Sequence, residues 1–368
     1  MGQTIRIFPV LRGLWNHYIL RAELETAQEL AEQLLELAQR MQDRGGLMNA
    51  HLALGDTLLC RGELTGALEH LEQSIALYDP RQDHSLAFVY GQDPAVAALS
   101  HGVRALWMAG YPDQALRKCR EKLLPLAQEL SHPHSLAFAL GFATVLYHLR
   151  REMQATQEMA EATIVLSTEH GFPHWLAQGI AYRGWVLAEQ GQREEGIAQM
   201  RQGLAAWRVA GAELGRPYYL ALLARAHGEE GEAEAGLAVL AEALATVKET
   251  GECNYEAELY RLKGELLLMV GAAEAEIVAC FRHAIEVACQ QDAKSWELRA
   301  TMSLCRLWQK QGKGEEARQI LAEIYGWFSE GFDTPDLKEA KALLDELSQA
   351  RRALPVSEPT SNFETAAL

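Results

Sequence analysis

The sequence predicts an all-α, right-handed α-solenoid of about eight helix-turn-helix repeats, with a period near 40 residues and a C-terminal capping helix. Three observations predict it. A short break of the form small–x–x–x–x–Ala recurs along the chain, its first residue at Ala22, Gly62, Gly110, Arg151, Gly191, Gly231, Gly271 and Gly312. Segments beside the breaks carry apolar residues at i, i+3, i+4 and i+7, as Leu237, Leu240, Ala241 and Leu244 do; this spacing lines one helix face. No stretch alternates apolar and polar residues for more than a few positions, so no strand is expected.

The breaks lie 40, 48, 41, 40, 40, 40 and 41 residues apart, a series that marks stacked repeats. Five residues after the break comes a small residue in most units: Ala27, Ala67, Ala115, Gly196, Gly236 and Ala317. Thr156 takes the place in unit four, and one extra residue in unit seven moves it to Ile277. A small side chain there lets the second helix approach the first, and Gly in the break permits the φ > 0 turn that reverses the chain. In unit two, His51, Leu54, Gly55, Leu58, Ala67, Leu71 and Pro80 follow the tetratricopeptide pattern of alternating large and small residues. Trp15, Trp107, Trp185 and Trp308 fall in the first helices of other units. The period exceeds the usual ~34 residues, so the second helices or the links are longer.

Prolines mark the links: Pro80, Pro94, Pro112, Pro133, Pro173, Pro217 and Pro335 stand at helix starts, where a missing N–H is tolerated. Pro125 stands inside a second helix and should kink or split it. The 48-residue interval contains an elbow at 80–95, expected to be ordered because Leu86, Phe88 and Tyr90 want burial. A capping helix is expected at 335–348, with Asp333 or Thr334 as its N-cap. The solenoid then occupies 1–349, and 350–368, which lacks periodicity, reads as a disordered tail.

Composition narrows the function classes. Of 368 residues 49% are apolar, enough for a core, and 34 basic against 50 acidic side chains leave a net charge of −16. A nucleic-acid surface needs clustered Lys and Arg and is not expected. No apolar run approaches the ~18 residues of a membrane span, and the N-terminus lacks a signal-peptide core. Six cysteines without a CxxC motif suit a reduced, cytoplasmic protein rather than a disulfide or zinc framework. His132-Pro133-His134, His170 and His174 sit at helix starts and read as link residues or caps rather than metal ligands. Cys280 and Cys289 read as buried thiols, and Glu194/Glu195 and Glu229/Glu230 as solvated or dipole-facing charge. Neither a nucleophile–His–acid set nor a GxxxxGK[ST] loop is present; Gly312-Lys313-Gly314 is the nearest approach to the latter and is the break of unit eight. No catalytic residue, metal or cofactor is expected.

The binding reading has more content. Stacked two-helix units curve so that first helices line a concave groove suited to a peptide or protein segment. Six residues before each break stand Asn16, Asp56, Arg104, Val145, Trp185, Arg225, Glu265 and Arg306; thirteen before stand residues including Phe138, Gln178, Tyr218, Glu258 and Arg299. Charged side chains recurring there mark a solvated concave face. Arg225, Arg261, Arg299 and Arg306 form a basic cluster on an acidic chain, which would favour an acidic peptide, a carboxyl terminus or a phosphorylated partner. Phe138, Trp185 and Tyr218 would anchor it, with Arg104 further along the groove. Two other readings are a structural oligomerisation arm, and a small-ligand sensor with a pocket inside the superhelix near Trp185 and Phe138.

Four stretches carry a family resemblance: Tyr90-Gly91-Gln92-Asp93-Pro94, Ala279-Cys280-Phe281-Arg282-His283-Ala284, the run from Ala293 to Ala300, and the run from Glu330 to Ala340. With them, residues 5–349 resemble the C-terminal tetratricopeptide region of large bacterial multidomain signalling proteins. In those, a class III adenylate/guanylate cyclase, protein kinase or winged-helix domain precedes a predicted STAND-type ATPase, and the repeat array follows. The resemblance implies a sensor or protein-binding arm whose partners include the ATPase or cyclase domains of a parent protein. It implies no active site here. The chain is expected to be a fragment, or a stand-alone descendant, of such a protein.

Overall fold

The computed structural model describes residues 4–353, and among them there is no strand. Unit one pairs α1 (Thr4–Leu20) with α2 (Leu24–Met41), and unit two α3 (Arg44–Cys60) with α4 (Leu64–Leu77). The elbow holds two short helices, α5 (Pro80–Asp83) and α6 (Leu86–Tyr90). Unit three joins α7 (Pro94–Met108) to α8 (Pro112–Lys118) and α9 (Leu124–Glu129), and unit four α10 (Pro133–Leu149) to α11 (Met153–His170). Units five and six are α12 (Pro173–Glu189) with α13 (Arg193–Val209), and α14 (Arg216–Glu229) with α15 (Ala233–Thr250). Units seven and eight are α16 (Glu256–Met269) with α17 (Glu274–Gln290), and α18 (Lys294–Lys310) with α19 (Gly314–Trp327). The last helix, α20 (Pro335–Ala353), runs past the 335–348 expected, and the tail expected from 350 lies, after 353, outside the described residues.

Each break has one geometry. Its first residue is left-handed in all eight units, including the two without glycine, Ala22 (φ 56°) and Arg151 (φ 60°). The next N–H reaches back five residues to the first helix, as in Glu63 N to Leu58 O (2.9 Å) and Gln192 N to Leu187 O (2.9 Å). That is the Schellman closure, which satisfies carbonyls the helix end would orphan. The small residue beyond the break then packs helix on helix. In unit five a Cβ on Gly196 would stand 2.5 Å from Gly184 O and 2.7 Å from Ala188 N, backbone atoms that cannot turn aside.

Pro125 acts as expected, through a specific device. A π-helical turn, Cys119–Leu123, separates α8 from α9, with Leu124 N donating to Cys119 O. The wider turn accommodates a ring that an ordinary helix would press against the carbonyl four residues back. In the elbow, Leu86 and Tyr90 are half-buried, but Phe88 is 72% exposed. The expected burial of Phe88 is corrected: its ring meets that of His132 edge to face at 5.1 Å and otherwise faces solvent. Cys280 is buried, whereas Cys289 is exposed at the outer end of α17.

The largest departure from expectation concerns who packs on whom. In a simple solenoid each unit touches its sequence neighbours. Here the superhelix completes a turn and its later units seat on its earlier ones. Leu20 O accepts from Glu213 N (2.9 Å) and Leu214 N (3.1 Å), and Cys60 O from Cys253 N (3.0 Å). The Ser295 hydroxyl donates to Trp107 O, 188 residues away. Glu330 accepts from Asp113 N and Gln114 N (3.0 Å each), and Asp113 accepts from Gly331 N (2.8 Å). Trp107 and Trp296 meet edge to face at 4.8 Å within a core cluster that spans Leu59 to Trp296. Backbones come close along this seam: a Cβ on Gly110 would stand 2.5 Å from the Trp327 ring, and one on Gly331 2.3 Å from Pro112.

Because its Cβ would meet backbone, Gly196→Val should destabilise the chain by about 1–3 kcal/mol or more, seen as a lower Tm. Gly13→Ala, at a helical position with open space around its Cβ, should instead raise stability by about 0.5–1 kcal/mol.

Candidate functional site

The first helices line the interior of the closed superhelix, and the inner-face residues fall into two cavities. The first, about 270 Å³, is lined by Asn16, Asp56, Arg104 and Val145 at the six-before position, and by Phe138, Gln178 and Tyr218 at the thirteen-before position. Trp175, Trp207, Phe142, Tyr219 and Tyr255 add aromatic walls. The loop 210–215 closes one side and is the same loop that docks on Leu20. The second cavity, about 220 Å³, is lined by Arg225, Arg261, Arg299 and Arg306, joined by Arg151. Trp185 stands at neither wall. It is buried, with its ring 4.5 Å from that of His148.

A polar plug neighbours both cavities. Tyr182 donates its hydroxyl to the Tyr218 oxygen (2.9 Å), and the Tyr218 oxygen is also in hydrogen-bond contact with His148 Nδ1. Burial, together with the nearby Arg225 and Arg299, holds the His148 imidazole well below its usual range, so it stays neutral.

The four predicted arginines therefore do come together, but not as a basic patch. Arg225 pairs with Glu189 (3.1 Å) and Glu229 (2.8 Å). Arg261 pairs with Glu258 (2.7 Å) and with Glu265. Arg299 reaches Asp336 (2.7 Å) and donates to Leu149 O (2.7 Å), its guanidinium stacked 4.9 Å from Trp107 and 5.2 Å from Trp296. Arg306 and Arg151 share Glu339 at 3.0 and 2.7 Å. Every guanidinium has a carboxylate, three of them supplied three or four residues away on the same helix (Glu229, Glu258 and Glu265), so the expected basic surface is corrected to a charge-matched network. Nor is the inner face simply solvated: Phe138, Trp185 and Tyr218 are all buried.

The aromatic cavity has a charged end instead. Asp56 is 4% exposed and lies 2.9 Å from His101 Nδ1 and 3.9 Å from Arg104. Burial opposes the Asp56 charge, but His101, Arg104 and Arg12 outweigh it and hold the carboxyl below its usual range. Arg12, itself 3% exposed, lies over the Trp15 ring at 4.2 Å. Sequence reasoning missed Arg12 and His101; their spacing from the breaks differs from that of the inner-face positions. His132 caps α10, its Nδ1 accepting from Ser135 N (3.2 Å), and His174 stacks on Trp207 with ring centroids 3.8 Å apart. Among the described residues no group of three His, Cys, Asp or Glu could hold a metal, and no helix is long and apolar enough to cross a membrane.

One further acid is buried beside this end. Glu252 is 1% exposed and accepts from Gly215 N with both oxygens (3.0 Å each). Burial pushes its pKa up to about 8, against the Gly215 donor and Arg104. With the unfolded value near 4.5, its contribution to stability is intact below pH 4.5 and lost as pH rises through 8. Glu252→Gln should match the parent at pH 4.5 and exceed it at pH 8.5 by on the order of 3–5 kcal/mol, read from denaturant unfolding at the two pH values.

No family model matches the chain. Over 238 residues, 64% of this chain, it is 27% identical to an uncharacterised protein of Rhizobium meliloti (strain 1021), and the match spans 23% of that protein's length. Among solved structures it is similar to a Rap protein complexed with competence and sporulation factor (TM-score 0.58, 11% identity, 94% of this chain and 98% of that one). It is also similar to the Rap conjugation gene regulator of plasmid pLS20 in complex with the Phr* peptide (TM-score 0.57, 11% identity, 95% and 98%). At such identity the likeness is one of fold: this chain is an α-solenoid of tetratricopeptide-like helical repeats.

Proposed function

We propose that the chain is a non-catalytic, cytoplasmic helical-repeat sensor that takes a peptide or protein segment against its inner face. It relays that binding to the ATPase or cyclase domains of a longer signalling protein. The observation that carries the reading is the use of the inner-face positions. Consecutive first helices spend them on aromatic and charged side chains around two cavities rather than on close-packed aliphatics. A peptide occupies a neighbour of the same fold, so such an array can accommodate one. The match to 23% of a longer Rhizobium protein supports the array as one part of a larger chain.

The charge-matched arginine cavity changes the expected partner. It offers both signs in alternation and suits a polar segment of mixed charge, whereas an acidic group finds its counterpart at Arg104.

Panning a random-peptide phage library on the full chain should enrich a common motif. The corresponding synthetic peptide should bind about tenfold or more weakly to Phe138→Ala and to Arg225→Glu, measured by fluorescence anisotropy, and unchanged to the outward-facing Val209→Ser. Selected peptides that bind both inner-face variants as tightly as the parent would overturn the reading.

A further inference from the structure

The aromatic cavity pairs an apolar chamber with an unbalanced charge. At its end two guanidiniums, Arg12 and Arg104, face one carboxylate, Asp56. Arg12 is buried and the Arg104 side chain is 12% exposed, and the Nε of each is enclosed without a hydrogen-bond partner. Arg104 lines the cavity itself and reaches Asp56 at only 3.9 Å, while His101 Nδ1 lies 2.9 Å from the same carboxylate oxygen. Glu252 does not restore the balance, since burial keeps it largely protonated at neutral pH. A buried cation without a matched anion is costly, and burying unsatisfied donors adds to that cost. One missing negative charge beside a planar fork of donors is the complement of a carboxylate.

The rest of the chamber states what the carboxylate is attached to. Phe138, Phe142, Trp175, Trp207 and Tyr219 supply faces and edges for a flat ring. Phe138 and Phe142 stack at 4.9 Å, and Trp175 meets Phe138 edge-on at 5.0 Å, an arrangement that a further ring extends. A volume of about 270 Å³ falls just under the range of drug-sized sites, roughly 300–1,000 Å³, and suits one aromatic acid rather than a folded segment.

We infer that this chamber binds an aromatic carboxylate, its ring among Phe138, Phe142 and Trp175 and its carboxylate on Arg104. Two sources share that chemistry: a free aromatic acid, and the C-terminal aromatic residue of a peptide. The inference rests on the inner face being the ligand site.

The test is calorimetric titration of the full chain with four probes. These are indole-3-acetate, its neutral analogue indole-3-acetamide, the peptide Ala-Ala-Ala-Trp with a free carboxyl terminus, and the same peptide amidated. At least one acid should bind, and its amide should bind about tenfold or more weakly. Arg104→Met should remove that preference while leaving weak binding of the amide. Should Arg104→Met not fold, Arg104→Lys keeps the charge without the fork and should narrow the preference, and the acid–amide comparison on the parent needs no variant. Binding of indole-3-acetate alone assigns a free acid, and tighter binding of the peptide assigns a peptide terminus. Equal binding of acid and amide, or no binding of any probe at millimolar concentration, overturns the inference. In that case library-selected peptides that still depend on Phe138 and Arg225 leave the preceding proposal standing. Conversely, acid-selective binding of indole-3-acetate with no peptide selected from the library overturns the peptide reading and keeps the chamber.

Discussion

Closure of the superhelix on itself is the constraint on which the rest of this structure depends. A repeat array needs only neighbour contacts to bury its core, and it is then free to be an open spiral. Here residues 150 to 218 apart in sequence meet across one turn. The meeting is specific because it uses helix ends. Carbonyls at the C-termini of first helices, Leu20, Cys60, Trp107 and Leu149, accept from donors one turn later. A helix end leaves several carbonyls unfilled by its own ladder. The Schellman closure takes some, and the following turn takes others, so each of the first four breaks both reverses the chain and offers a docking point. Gly110 shows the two roles together, being left-handed and lacking the Cβ that would strike Trp327.

Closure turns a groove into cavities, and that changes the electrostatics of the inner face. On an open concave surface, Arg299 or Arg104 would be a hydrated charge with little effect on its neighbours. Enclosed, each must be matched. The arginine cavity meets this demand with carboxylates from α12, α14, α16 and α20, and Arg299 adds two indole faces drawn from both turns, Trp107 and Trp296. The aromatic cavity meets it incompletely, with Asp56 between two guanidiniums. The same enclosure keeps the His148 imidazole neutral and the Glu252 carboxyl protonated, both through loss of water around the charged form.

What the sequence made legible follows from the range of each interaction. The breaks are local, so spacing located all eight, and the left-handed turn appears at Ala22 and Arg151 although neither is glycine. Counting back from the break identified inner-face residues because the helix between is regular: Asn16, Asp56, Arg104 and Val145 line one cavity, Arg225, Glu265 and Arg306 the other. Trp185 keeps that register yet lies buried against His148, since the plug fills the interior at that height. The seam was illegible, because contacts such as Ser295 to Trp107 leave no periodic trace. The charge balance was illegible for a related reason. Asp336 and Glu339 reach Arg299 and Arg306 from α20, a helix read as a cap for an apolar face. Phe88, read as wanting burial, is exposed apart from its contact with His132, since hydrophobicity states a preference and topology decides how much of a side chain is covered.

The loop 210–215 brings closure and the aromatic cavity into one device. It lines the cavity through Ala210, Gly211, Ala212, Leu214 and Gly215. Two of its N–H groups hold Leu20 O across the seam, Leu214 O accepts from Trp207 Nε1, and Gly215 N is clasped by Glu252. Trp207 is at once a wall of the cavity and an anchor of the loop. A molecule packed against Trp207 and Gly215 therefore touches groups whose positions fix how the second turn sits on the first. By linkage, a ligand that prefers the closed arrangement stabilises the whole seam by the amount of that preference, and one that wedges the loop outward loosens it. An ordinary open solenoid has no such coupling, because its ligand face and its unit-to-unit contacts are separate surfaces. In this chain the 210–215 loop belongs to both surfaces, since it lines the cavity and holds Leu20 O across the seam.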